Sequence, residues 1–203
     1  MRQRSAQRRG FFLLLALSGC LAGCVTSADK RAAISDVNEA FRRDYEQILM
    51  EKGSRTYPVV QPQAFRAARN ALTRLGMKIA DESPEIGYLN VAAPAPSPLD
   101  KKEWDAAADE DLPKLRELLR KHVGILANFS RFEPEGLDIV ITATALRVRS
   151  GSEISLTMRM RETAPPKSGM PRREYPPPSA VRTGLDKIWS EIDRELGPGR
   201  GKP

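Results

Sequence analysis

The sequence predicts an α+β protein in which an antiparallel sheet packs against helices, with an amphipathic helix at its N-terminal side. Residues 138–149 are rich in β-branched side chains, and residues 153–161 alternate apolar with polar residues, which indicates a two-stranded hairpin. Residues 25–52 and 181–196 instead carry apolar residues at helical spacing. A long closing helix must bury its apolar stripe, and the apolar faces of the strands can cover it.

Residues 1–23 have the composition of a signal peptide. The head holds four arginines and no acid, and the apolar run from Phe11 to Leu17 is far too short to span a bilayer. The net charge of the full chain is +7, and cleavage of this segment would remove four of its positive charges. The mature chain is therefore nearly balanced, and its composition gives no argument for nucleic acid as a partner.

The segment Leu21-Ala22-Gly23-Cys24 resembles the lipobox of bacterial lipoproteins. The resemblance implies a diacylglyceryl group on the Cys24 thiol, cleavage before Cys24 and attachment to the membrane through lipid. Cys20 follows a similar box, but Cys24 is favoured because it leaves a longer apolar core upstream. In the enteric lipoprotein pathway an aspartate after the lipidated cysteine retains the protein at the inner membrane. Val25 at that position implies an outer-membrane protein facing the periplasm.

The leader leaves two export routes open, and the positions of the cysteines limit the chemistry of the folded domain. Residues 7–13 resemble a twin-arginine signal but lack its usual preceding Ser or Thr and its trailing Lys, so this route and general secretion both stay open. Both cysteines of the chain lie in the leader region. The folded domain is therefore expected to contain neither a disulfide nor a cysteine metal site.

The predicted organisation is a leader (1–23), a lipidated N-terminus with an amphipathic tether helix (24–53), an α+β domain (54–196) and a disordered tail (197–203). The apolar stripe of the first helix allows two interpretations. It packs on the protein's own domain, or it pairs with another chain or the membrane surface. The stripe consists of Ile34, Val37, Phe41, Tyr45 and Ile48.

Within the domain, the pattern predicts a strand at 56–60, a helix that opens at Gln61-Pro62 and ends at Gly76, and strands at 77–80 and 87–93 around a turn at 81–85. The prolines and acids of residues 94–111 predict an exposed, mobile break. A short helix is expected over 112–123. Ser179 is expected to cap the closing helix after the proline-rich connector 163–178.

Six side chains are candidate ligand or partner contacts. Two are tryptophans, which combine a large apolar surface with one polar atom. The other four are arginines of the predicted hairpin, which would form a basic patch if both strands present them on one face. The candidates are Trp104, Trp189, Arg147, Arg149, Arg159 and Arg161.

The element order and the segments 64–76 and 87–93, with the closing hairpin and helix, resemble small envelope lipoproteins with a helix-grip or TATA-box-binding-protein-like domain. In proteins of this kind, including those accessory to outer-membrane barrel assembly, an antiparallel sheet cradles helices. The resemblance implies a non-catalytic domain. The proline-rich connector 163–178 departs from the compact version of that fold.

No catalytic constellation is expected. The sequence lacks nucleophile-elbow, zinc-protease and phosphate-loop motifs, its lone His122 can form neither a triad nor a metal site, and no cofactor is implied. The leading hypothesis is a lipid-anchored, non-enzymatic envelope protein that binds other envelope proteins as a scaffold or accessory subunit. The alternative is a carrier or sensor that holds an apolar ligand between the sheet and the C-terminal helix. The oligomeric state stays open.

Overall fold

The computed structural model describes residues 25–164 and 169–197, and it confirms the α+β class: helices pack against a five-stranded antiparallel sheet. A short 3₁₀ helix, here the 3₁₀ segment, follows the third helix at Gly124–Phe129. The helices and strands in chain order are α1 (Ser27–Lys52), β1 (Ser54–Tyr57), α2 (Gln61–Arg74), β2 (Lys78–Ser83), β3 (Tyr88–Pro94), α3 (Lys101–Val123), β4 (Leu137–Val148), β5 (Gly151–Glu162) and α4 (Pro178–Leu196).

The sheet has the order β1-β5-β4-β3-β2, and every neighbouring pair is antiparallel. Its centre is the predicted hairpin, in which Ile141 lies opposite Met158. Gly87 ends the turn between β2 and β3 with φ of 70°, and a Cβ there would lie 2.0 Å from the Ala145 carbonyl oxygen. Only glycine fits such a close backbone approach at positive φ.

The two faces of the sheet differ in burial. Alternate residues of the hairpin, such as Ile139, Ile141, Ile154 and Leu156, are completely buried in the core with the helices. The intervening residues are half-buried or exposed. This alternation is typical of an antiparallel sheet that covers its core with one face only.

Helix α1 packs on the protein's own domain, which is the first of the two interpretations of its stripe. Phe41, Tyr45 and Ile48 are buried within the same core as the sheet. Thr26 begins the helix with a capping box, because its hydroxyl accepts from the Asp29 backbone N–H and the Asp29 carboxylate accepts from the Thr26 backbone N–H.

The prediction of an exposed break at 94–111 is wrong for its second half, because α3 begins at Lys101 and continues through Pro113. Asp100 and Glu103 form a reciprocal capping box with 2.8 Å hydrogen bonds that starts the helix. The alanine-rich run is a good helix former, and Trp104 is buried on its inner face.

Smaller boundaries also differ from the predictions. β1 occupies 54–57 rather than 56–60, since Pro58 cannot donate to a sheet ladder. β2 extends to Ser83 through most of the predicted turn. α4 begins at Pro178, and Ser179 is not its cap: the Asp111 carboxylate of α3 accepts from the Ser179 backbone N–H at 2.7 Å.

Several predictions fall outside the described residues. The leader, Cys20 and Cys24 precede Val25, and residues 198–203 of the predicted tail follow Gly197, the last described residue. Within the described ranges, none of the helices is both long enough and apolar enough to cross a membrane.

Candidate functional site

One concave site is an apolar cleft of about 230 Å³ between α1, α3 and the end of the sheet. Its walls combine one face of each helix with the first residue pairs of the β4–β5 hairpin and with the connector (here residues 169–177). The side chains that give the cleft its apolar character are Ile34, Val37, Phe41, Trp104, Leu115, Leu119, Phe132, Leu137, Met160, Tyr175 and Pro177. We call this site the apolar cleft.

Trp104 forms the floor of the apolar cleft and fixes one of its walls. Its side chain is 1% exposed, and its indole Nε1 donates to the Phe132 carbonyl oxygen at 3.0 Å. The Phe132 ring lies 5.7 Å from the ring of Phe41 on α1, measured between centroids. The segment after the 3₁₀ segment is thus held on both helices.

The connector closes the opposite side of the apolar cleft. The Asn38 side chain donates to the Arg172 carbonyl oxygen at 2.7 Å and accepts from the Glu174 backbone N–H at 3.3 Å. The Met160 backbone N–H donates to the Glu174 carbonyl oxygen at 3.1 Å, so the connector pairs with the edge of β5. These contacts hold an otherwise irregular segment against the sheet.

Arg159 stabilises the connector through aromatic contacts. Its guanidinium carbon lies 4.3 Å from the ring centroid of Tyr175 and 5.0 Å from that of Tyr45, and the two rings meet edge to face at 5.3 Å. Burial raises the pKa of the Tyr45 hydroxyl, while the charge of Arg159 opposes this rise. Arg159 is therefore part of the packing beside the cleft.

The four candidate arginines do not form one patch. Arg159 and Arg161 lie opposite Val140 and Asp138 at one end of the hairpin, whereas Arg147 lies opposite Ser152 near the turn at the other end. Nine residues of strand separate Asp138 from Arg147, or roughly 30 Å. In addition, Arg147 shares the side of the sheet that Ser152 occupies, while Arg159 and Arg161 belong to the other side, and Arg149 is in the turn. The condition for a basic patch, that both strands present these arginines on one face, is therefore not met.

Trp189 lies away from the apolar cleft. It is fully buried, its indole Nε1 donates to the Lys52 carbonyl oxygen at 2.7 Å, and Arg55 lies over its ring at 5.0 Å. Leu185, Ile188 and Ile192 beside it on α4 are also fully buried. The interface between the sheet and α4 is therefore packed, and the apolar space lies at α1 and α3 instead.

A second, polar cleft lies on the other side of the segment that contains Phe132. It is larger, about 720 Å³, and its lining mixes cations with carboxylates. The charged residues around it are Lys101, Asp105, Asp109, Arg116, Arg131, Glu133 and Glu135. With three cations and four carboxylates around it, this open cleft has little net charge to select an anionic or a cationic ligand.

Reactive groups are sparse in the described part of the chain. There, no group of three His, Cys, Asp or Glu residues is arranged to hold a metal ion. His122, near the end of α3 as predicted, has its Nε2 2.8 Å from an Asp36 carboxylate oxygen and joins α3 to α1.

The sequence pattern located only part of the apolar cleft. The stripe of α1 and Trp104 were among the singled-out residues, and the apolar face of residues 112–123 was predicted helical. Phe132, Met160 and Tyr175 were missed as site residues, because they come from a loop, a strand end and a proline-rich connector. Phe132 and Tyr175 lie in irregular segments without a periodic signal, and the alternation of residues 153–161 indicates that Met160 faces inward but not that it borders a cleft.

No protein-family model, curated protein or solved structure matches this chain.

Proposed function

We propose that this chain is a lipid-anchored protein of the bacterial cell envelope and that partner proteins bind to it in the apolar cleft. Cys24 is the lipidated residue and Cys20 the alternative. The domain has a non-enzymatic scaffold or accessory role in an envelope protein complex, on the periplasmic side of the outer membrane. The lipobox-like segment before α1 supports the anchor, and the apolar cleft supports the docking role.

The volume and lining of the apolar cleft are the observations that carry the docking role. Small-molecule sites usually measure about 300–1,000 Å³. The apolar cleft, at about 230 Å³, is smaller, and its wall is mostly apolar, with Asn38, Ser130, Arg131, Glu133 and Arg173 as its polar members. A site of this size and chemistry suits one or two apolar side chains of a partner protein, because aromatic and aliphatic side chains in pockets dominate the affinity of protein interfaces.

The anchor is tested by labelling cells with radioactive palmitate while they express the full-length chain, Cys24→Ser or Cys20→Ser. We expect label in the wild type and in Cys20→Ser, and none in Cys24→Ser, with the labelled protein in the outer-membrane fraction. Label that persists in Cys24→Ser but disappears in Cys20→Ser would assign the anchor to Cys20. A wild type without label would contradict the anchor.

The docking role is tested with a photo-crosslinking residue at Ile34, on the α1 wall of the apolar cleft. Met50, which is 82% exposed near the other end of α1, is the matched control position. We expect a discrete envelope-protein adduct from position 34, none from position 50, and loss of the adduct when Leu119→Phe fills the cleft. An adduct that is insensitive to Leu119→Phe would contradict docking in the cleft.

The second candidate function is that of a carrier or sensor for an apolar ligand. The apolar wall of the same cleft favours it, and a short acyl chain is the ligand class that its volume admits. Trp104 lines the cleft and Trp189 does not, so a Trp189→Phe variant leaves Trp104 as the one tryptophan of the chain. A saturable shift of its emission during titration with decanoate would support this function, and an unchanged emission would contradict it.

A further inference from the structure

The 3₁₀ segment exposes three large apolar side chains within five residues. Ile125 is 76% exposed, Leu126 54% and Phe129 78%. Ala127 between them is fully buried and holds the segment on the domain. The other strongly exposed large apolar residues of the described chain, such as Met50 and Ile86, are isolated in sequence. A cluster of this kind is characteristic of an interaction surface rather than of ordinary surface composition.

The position of the cluster follows from how α1 and α3 pair. His122 on α3 contacts Asp36 on α1, with 2.8 Å between His122 Nε2 and Asp36 Oδ2, and Lys114 contacts Asp44. The helices are therefore antiparallel, and the end of α3 lies beside the first half of α1. The 3₁₀ segment, which continues from α3, is at the same end of the domain as Ser27, the first residue of α1.

We infer that the 3₁₀ segment is a second membrane contact, in which Ile125, Leu126 and Phe129 enter the boundary between headgroups and acyl chains of the bilayer that holds Cys24. This inference rests on the proposed lipidation. Interfacial segments bury Phe and Leu side chains by roughly 5–10 Å in this boundary, and an acyl anchor commonly acts together with a second membrane signal.

The length of the intervening chain favours the membrane over a distant partner. Two residues, Val25 and Thr26, separate Cys24 from Ser27, and the three steps between them span at most about 11 Å when extended. From Ser27 to Asp36, which contacts the end of α3 through His122, helix α1 rises roughly 14 Å. The point of α1 that contacts the end of α3 is thus within about 25 Å of the lipidated residue. A tilt of the domain on this short tether brings the 3₁₀ segment to the surface of the same bilayer.

The charges next to the 3₁₀ segment fit an anionic lipid surface. Arg120, Lys121 and Arg131 flank it and are exposed. The nearest carboxylates in sequence, Glu117 and Glu133, lie farther from it on each side, and the Asp36 carboxylate of α1 contacts His122. Juxtamembrane cations add attraction to anionic headgroups within a Debye length of the surface. The apolar cluster and its flanking cations together favour an anionic bilayer as the occupant.

The test uses the acylated full-length product, purified from membranes and reconstituted in vesicles of phosphatidylethanolamine and phosphatidylglycerol. Phe129→Cys and, separately, Leu126→Cys carry an environment-sensitive fluorophore. Met50→Cys is the control at the opposite end of α1, and the parent protein reports background labelling of Cys24. All three sites are exposed, so these changes leave the fold intact.

We expect the emission of labels at 129 and 126 to shift to the blue and to be quenched by lipid-attached quenchers, and the label at 50 to do neither. Vesicles without phosphatidylglycerol should reduce the quenching. If the protein floats with the vesicles while both labels stay in water, the inference is overturned and the cluster belongs to a protein interface. If the parent protein neither carries lipid nor floats with the vesicles, the proposed lipid anchor is contradicted, and the membrane contact of the 3₁₀ segment, which rests on it, is contradicted as well.

Discussion

The indole Nε1 of Trp104 donates a hydrogen bond of 3.0 Å to the carbonyl oxygen of Phe132, 28 residues further along the chain. This bond connects a fully buried residue of α3 to the loop that separates the apolar cleft from the polar cleft. The loop contributes Phe132 to the wall of the cleft and lies directly after the 3₁₀ segment. Trp104 therefore positions both the cleft and the exposed apolar cluster.

Substitution of Trp104 by Phe should destabilise the protein by about 2 kcal/mol, because it removes the hydrogen bond, leaves the Phe132 carbonyl without its donor and reduces the buried volume. Urea unfolding followed by circular dichroism measures this change. Phe129→Leu, at an exposed position, is the control and should leave the free energy of unfolding unchanged. A loss below about 0.5 kcal/mol for Trp104→Phe would mean that the loop is not held by Trp104.

Substitution of Asn38 by Ala should release the connector without unfolding the domain. The variant loses both side-chain hydrogen bonds to the connector, at the Arg172 carbonyl and the Glu174 amide. Each such bond at a partly exposed site contributes about 1 kcal/mol or less. We expect faster hydrogen exchange at the Glu174 amide and cleavage within the connector by a dilute protease.

The matched control for this prediction is Asn90→Ala, which removes a 3.0 Å hydrogen bond to Thr142 elsewhere on the sheet. Exchange at Glu174 should be unchanged in that variant. Equal exchange rates in Asn38→Ala and the wild type would show that Arg159 and the β5 edge hold the connector without Asn38.

The sequence predicted the elements whose side chains repeat with one period. The stripe of α1, the alternation of β5 and the stripe of α4 each report burial on one face, and the structure has all three elements. The prediction of a break at 94–111 was wrong from Lys101 onward. Local composition suggested a loop, whereas the Asp100–Glu103 capping box and the burial of Trp104 stabilise a helix there.

Long-range placement could not be predicted in the same way. Register decides whether arginines of two strands are neighbours, and the register of β4 and β5 separates Arg147 from Arg159. The apolar cleft likewise depends on where the connector returns to the sheet. Its contacts with Asn38 join residues more than 130 positions apart, and no local pattern encodes that contact.

Asp111 should act as the N-terminal cap of α4 across the interface with α3. Its carboxylate accepts from the Ser179 backbone N–H at 2.7 Å and from the Ser179 hydroxyl at 3.0 Å. Replacement of a capping carboxylate by Ala typically costs about 1 kcal/mol. We expect that loss for Asp111→Ala in urea unfolding at neutral pH, and no loss for Asp109→Ala on the exposed side of α3. Equal free energies of unfolding for the two variants would show that Asp111 does not cap α4.

Tyr57 should contribute stability that disappears at alkaline pH. Its hydroxyl donates to Asp193 at 2.7 Å, while Arg55 donates to the other oxygen of that carboxylate at 2.8 Å. Burial raises the pKa of Tyr57 above its ordinary value, and the neighbouring Asp193 carboxylate raises it further. The folded state therefore holds the phenolic proton more tightly than the unfolded chain does.

The sign of the pH dependence follows from that difference. The stabilisation by Tyr57 is fully present below pH about 10, where the unfolded chain still holds its proton, and it is lost as the pH rises toward the folded-state pKa. Tyr57→Phe should cost about 1 kcal/mol at pH 7. The difference between wild type and Tyr57→Phe should then shrink in urea unfolding above pH 10. A difference that stays constant to pH 11 would contradict the raised pKa, and no difference at pH 7 would contradict the contribution of the bond to Asp193.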